Sequence, residues 1–193
     1  MAGIALLALV AMVASRSFNA SPGGSLDGSK NAIPQPGLDD RGAGPRAPDI
    51  SAMSPRERSE RLFDRVMRLA SEGKADSVRL FAPMAIAAYG MAGALDSDQR
   101  YDLGRLAEVS GDASLAAAQA DTILRTTPTH LLGLLLGARA AGMRGDDGAR
   151  LAFERRLLAA ERAEMASPRE EYERHRADIT DAVARAKLKA PGR

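Results

Sequence analysis

Residues 97–130 read SDQRYDLGRLAEVSGDASLAAAQADTILRTTPTH, and they decide the fold. Two apolar-periodic segments flank the pair Gly111-Asp112, and Pro128 closes the stretch before the next apolar run begins. The pattern recurs: Gly145-Asp146 stands 34 residues after Gly111-Asp112 and again separates two apolar-periodic segments. A fixed period of that length predicts stacked helix-turn-helix units. Small residues at Gly104 and Ala116 would let paired helices approach closely. Gly111 would supply a left-handed turn, and Pro128 would stop the second helix.

Leu103-Gly104, Gly111-Asp112, Ala116 and Pro128 together resemble a tetratricopeptide repeat, and the chain is similar to that family over about 70 residues. The next unit, from near Leu131, keeps Gly137-Ala138, Gly145-Asp146, and Ala149 followed by Phe153. Arg100 and Ala107 stand where the family carries aromatics. The resemblance implies a groove lined by the first helices of successive units. Tyr101 and Arg105 would face it from one unit, Leu135 and Arg139 from the next. Two guanidinium forks beside a ring suit an acidic partner segment.

The rest of the chain frames these units. Ser54-Pro55-Arg56-Glu57 is a capping box with proline at the first helical position, and the same four letters return at 167–170. After the first box, Leu62, Val66 and Leu69 share a face, and a second helix is expected from Asp76 to Met91, with a kink or break near Phe81 imposed by Pro83. Residues 131–136 are apolar nearly all round, which predicts a central buried helix. From Pro168 to Leu188 a narrow stripe of Tyr172, Ile179, Val183 and Ala186 predicts a capping helix with a polar outer face. The fold class is therefore all-α: a short solenoid of antiparallel hairpins, over residues 54–193, with a C-terminal cap.

Two zones precede it. Residues 2–14, AGIALLALVAMVA, carry no charge and would span about 20 Å as a helix, against a hydrocarbon core of about 30 Å. Residues 1–20 are thus expected to be an export signal or a membrane anchor, with Ile4, Leu6, Leu7, Leu9 and Val10 meeting lipid. Residues 21–53 are rich in Gly, Pro, Ser and Asp and read as a linker with a root-mean-square reach of about 30 Å.

Composition removes several classes of function. Among 193 residues there are no Cys and only two His, and the net charge is +2. Thiolate metal sites, disulfides and cysteine nucleophiles are excluded, and no global charge points to nucleic acid. His130 is expected to face solvent or cap a helix. His175 sits on a charged helix, and neither is assigned a catalytic or ligand role. Gly133 and Gly137 read as close helix packing rather than membrane dimerisation. No phosphate loop, nucleophile elbow or acid-base pair is present, so no enzyme, metal or cofactor is expected.

The expectation is a non-enzymatic interaction scaffold, tethered to a membrane and accessory to a larger inner-membrane assembly, respiratory or photosynthetic in type. Its partners would be protein subunits of that assembly and the membrane itself. The Ala- and Arg-rich composition points to a high-GC bacterium, and the signal-like run places the helical domain on the periplasmic side of the inner membrane. The alternative is a freely exported periplasmic adaptor that binds peptide segments in envelope biogenesis.

Overall fold

A computed structural model describes residues 53–167 and 169–189, and these form eight helices with no strand among the described residues. The hydrophobic run at 1–20 and the linker up to residue 52 lie outside them. The helices are α1 (Pro55–Ser71), α2 (Ala75–Met91), α3 (Ser97–Ser110), α4 (Ala113–Thr126), α5 (Leu131–Met143), α6 (Asp147–Met165), α7 (Glu170–Arg174) and α8 (Arg176–Lys189). From α1 to α6 each helix packs on the next, and short turns make successive helices antiparallel. The first helices of the three hairpins, α1, α3 and α5, also touch in turn, while α8 lies against α6 and α5.

Local chemistry accounts for most of the boundaries. At the start of α1 the Ser54 hydroxyl accepts from the Glu57 N–H at 3.2 Å, and the Glu57 carboxylate accepts from the Ser54 N–H at 2.8 Å. A second reciprocal box, Asp96 with Gln99, opens α3. Gly111 closes α3 at φ 82°, a left-handed conformation that a β-carbon would strain.

The repeated Ser-Pro-Arg-Glu at 167–170 behaves differently. There α7 starts from an extended Arg169 with no side-chain cap. Contacts to α5 and α6 fix the backbone instead, because Arg169 and Tyr172 both reach Glu164, while Glu171 reaches His130. The expected single capping helix is also split, with His175 between α7 and α8. In α2 the expected break does not occur. Pro83 lies on the solvent side, so the carbonyl it leaves unbonded can face water, while buried Ala82, Ala85 and Tyr89 hold the helix on its neighbours.

Two apolar clusters fill the interior. One joins α1, α2 and α3 through residues such as Phe63, Val66, Tyr89 and Leu106. The other is centred on α5, whose residues 131–138 are all buried, as the unbroken apolar run requires. Gly104 packs against Leu136 of α5, so its missing side chain serves the contact between hairpins rather than the turn within one. Gly133 admits Leu124 of α4, and Gly137 admits Phe153 of α6. The spacing of these two glycines is helix packing.

Candidate functional site

Charge that helical periodicity would assign to solvent is gathered along a seam where α7 and α8 cross α3 and α5. The four residues expected to line a groove all lie there. Tyr101 is fully buried and Leu135 is part of the core, while Arg105 and Arg139 are mostly covered. The two arginines do stand beside one another and share two carboxylates. Arg139 reaches Glu108 at 3.0 Å and Asp178 at 3.3 Å, and Arg105 pairs with the same two acids. The Tyr101 hydroxyl donates to Asp178 Oδ2 at 2.7 Å. Carboxylates therefore occupy the guanidinium forks, and they belong to the chain itself: Asp178 of α8 and Glu108 of α3. Burial acts to raise the Asp178 carboxyl, but the Tyr101 hydrogen bond and the two guanidiniums outweigh it and hold the group below the ordinary carboxylate range.

Next to this lies a second ionic group. Asp98 and Asp102 are four residues apart on α3 and so project from one face. Arg174 of α7 lies across both, donating to Asp102 Oδ2 at 2.8 Å and pairing with Asp98 Oδ2. Tyr89 donates to the same Asp102 Oδ2 at 3.1 Å. His175 Nε2 lies 2.8 Å from Asp98 Oδ1 and 3.5 Å from Asp102 Oδ1, and its ring stands edge-on to Tyr101 at 4.6 Å. Asp102 has no exposed surface, and burial pushes its carboxyl up to about 6 even with Arg174 and His175 drawing it back. Asp98 moves the other way, because His175 and Arg174 outweigh the effect of its partial burial. From this group a cleft of about 600 Å³ opens towards α1, lined by Arg56, Glu60, Asp96, Asp98, Glu171 and Arg174 among others.

A third lock joins α5 to α7. His130 is fully buried rather than solvent-facing, with Nε2 3.2 Å from Glu171 and its ring edge-on to Tyr172. The Tyr172 hydroxyl accepts from the Leu131 N–H at 3.0 Å and donates to Glu164 at 2.7 Å, satisfying one of the open donors at the start of α5. Burial lowers the His130 pKa against the pull of Glu171. The folded value is depressed below the ordinary 6.5, so this stability is present above that pH and is lost as pH falls through it. The melting temperature of wild type relative to His130→Gln should accordingly drop between pH 7.5 and pH 5.5. A difference that stays constant over that interval would show that His130 does not titrate with unfolding.

Outside the seam, α2 exposes Leu80, Met84 and Met91 by 64%, 51% and 72%, with Pro83 and Ala87 exposed between them. No charged residue occurs from 80 to 95. Beside this stripe is a hollow of about 690 Å³ lined by Ala70, Val78, Pro83, Val109 and Gly111 among others. Among the described residues no helix is long and apolar enough to cross a membrane. Ile4, Leu6, Leu7, Leu9 and Val10 lie outside the described residues.

Sequence reasoning missed both the ionic group around Asp102 and the apolar outer face of α2. The first had no local signal, because its members lie up to 77 residues apart. The second had one, the uncharged run from Leu80 to Leu95. Comparison of the chain with protein-family models, with curated proteins and with solved structures found no match.

Proposed function

We propose that the chain is a non-enzymatic, tetratricopeptide-like helical scaffold, held at a bacterial inner membrane by its N-terminal hydrophobic segment and serving as an accessory subunit of a larger assembly. The observation that carries this reading is the outer face of α2. Leu80, Met84 and Met91 fall on one stripe of the helix, are largely exposed, and have no charge between them. Contiguous apolar surface of this kind marks a contact with another apolar surface. The neighbouring hollow could seat a side chain from the partner. The 34-residue recurrence of a left-handed glycine, at Gly111 and Gly145, supports the repeat reading.

On this reading the partner-binding surface is the outer face of α2, whose exposed Leu80, Met84 and Met91 support it. The arginine pair is taken up by Asp178 and Glu108, and its part is to hold α8. The partner is a protein subunit with an apolar docking face. The test is affinity purification from native membranes in mild detergent, comparing wild type with Met84→Glu. Wild type should bring down a reproducible set of membrane-protein subunits, and Met84→Glu should lose them while keeping its melting temperature. Recovery of wild type as a lone monomer, or undiminished capture by Met84→Glu, would overturn the reading.

A further inference from the structure

We infer that Asp98, Asp102 and His175 form a structural binding site for a first-row divalent cation, with Zn²⁺ the best-suited probe. Each of the three residues offers one donor atom, and the three atoms lie within 4.8 Å of one another; Asp98 Oδ1 and Asp102 Oδ1 are 2.8 and 3.5 Å from His175 Nε2. The two separations to the imidazole nitrogen, 2.8 and 3.5 Å, bracket the spacing of about 3.3 Å between neighbouring donors of a tetrahedral zinc centre with bonds near 2.0–2.1 Å. One ion placed beside the imidazole nitrogen can thus reach both carboxylates. A mixed set of imidazole and carboxylate donors suits zinc and its neighbours better than calcium or magnesium.

A second observation bears on Asp102, the one wholly buried acid among the described residues. Its Oδ1, 3.5 Å from His175 Nε2, has no hydrogen-bond partner. Leaving a buried carboxylate oxygen unbonded is unfavourable unless something fills the position. Its other oxygen is doubly engaged by Tyr89 and Arg174, and Arg174 likewise takes Asp98 Oδ2. Arg174 thus holds the Oδ2 atoms of both carboxylates and leaves the two Oδ1 atoms to His175, in the manner of an outer-shell partner that fixes metal ligands.

The remaining requirements are an entry path and charge balance. The cleft of about 600 Å³ leads from solvent to Asp98, and Glu60, Asp96, Glu170 and Glu171 line it against only Arg56 and Arg174. The excess of carboxylates along the cleft favours entry of a cation as far as Asp98. With three protein ligands on two distant segments, the ion would clasp the junction of α7 and α8 to α3. The site does not depend on the scaffold reading, and it revises the expectation that His175 has no ligand role.

The test uses the full chain in mild detergent, stripped with a chelator and titrated with Zn²⁺ alone. One ion should bind per chain and raise the melting temperature by several degrees. The imidazole nitrogen resonances offer a direct view, because the chain has only two histidines. The His175 signals should move in step with the first equivalent of Zn²⁺ while those of His130 stay in place. Asp102→Asn and His175→Gln should each weaken binding by at least about 10-fold. No thermal shift, an unmoved His175 resonance, or equal binding by both variants would overturn the assignment. The resonance test needs only the wild-type protein, so misfolding of a variant does not shelter the proposal.

Discussion

Arg174→Ala is expected to destabilise the helical domain by about 3 kcal/mol, near the lower end of what breaking a buried ion pair removes, because the arginine itself is one-third exposed. The loss arises at the partner. Asp102 has no exposed surface, and without Arg174 only Tyr89 still donates to it. The effect should also depend on pH in a defined direction. The folded Asp102 carboxyl is raised to about 6, so its proton is held more tightly in the folded state than in the unfolded one. Stability from this group is fully present below the ordinary carboxylate pKa and is lost as pH rises through about 6. Removing Arg174 takes away a charge that favours ionised Asp102, so the deficit of the variant should widen between pH 5 and pH 7. Denaturant unfolding at several pH values checks both statements. A deficit below about 1 kcal/mol, or one independent of pH, would mean that Asp102 relaxes to solvent.

The second large effect concerns the pair Arg105 and Arg139. Had they lined an open groove, replacing both with Ala would leave the melting temperature nearly unchanged. With Asp178 and Glu108 shared between them, the double variant should instead lose about 3–4 kcal/mol, equivalent to roughly 10 °C in a domain of this size. The single variants should not add up to that loss, because each arginine can hold both carboxylates when the other is gone. Below its melting temperature the double variant should still capture the partner proposed to dock on α2. Thermal unfolding together with the membrane pull-down distinguishes the two outcomes. An unchanged melting temperature with lost capture would restore the groove.

What could be read from the sequence is what depends on neighbours within a turn or two of helix. Ser54 and Glu57 specify a helix start by themselves, Gly111 and Gly145 specify left-handed turns, and the apolar run at 131–136 can only be buried. Where a tertiary contact competes, the local signal loses. Ser167 and Glu170 repeat the letters of the first box, yet the chain there is fixed by Tyr172 and Glu171 reaching α5 and α6. The seam was illegible for the same reason. Asp98, Asp102 and Arg174 follow no apolar period and look like solvated charges, and only the crossing of α7 over α3 buries them. Tyr101, Arg105, Leu135 and Arg139 were placed together through the repeat spacing, but spacing within repeats carries no information about a later helix lying over them.

The bonds from Arg174, His175 and Asp178 to α3 link residues 72 to 77 positions apart. Hairpins of adjacent helices close short loops and can form early, whereas these contacts must wait for α7 and α8 to be synthesised. Until then Asp102, Tyr101 and the two arginines lack their partners from α7 and α8. Arrival of α7 and α8 supplies those partners together and ties α3 to the segment that follows α6. Truncation before residue 170 should therefore yield a product that keeps its helices but melts gradually, hairpin by hairpin, in place of one cooperative transition.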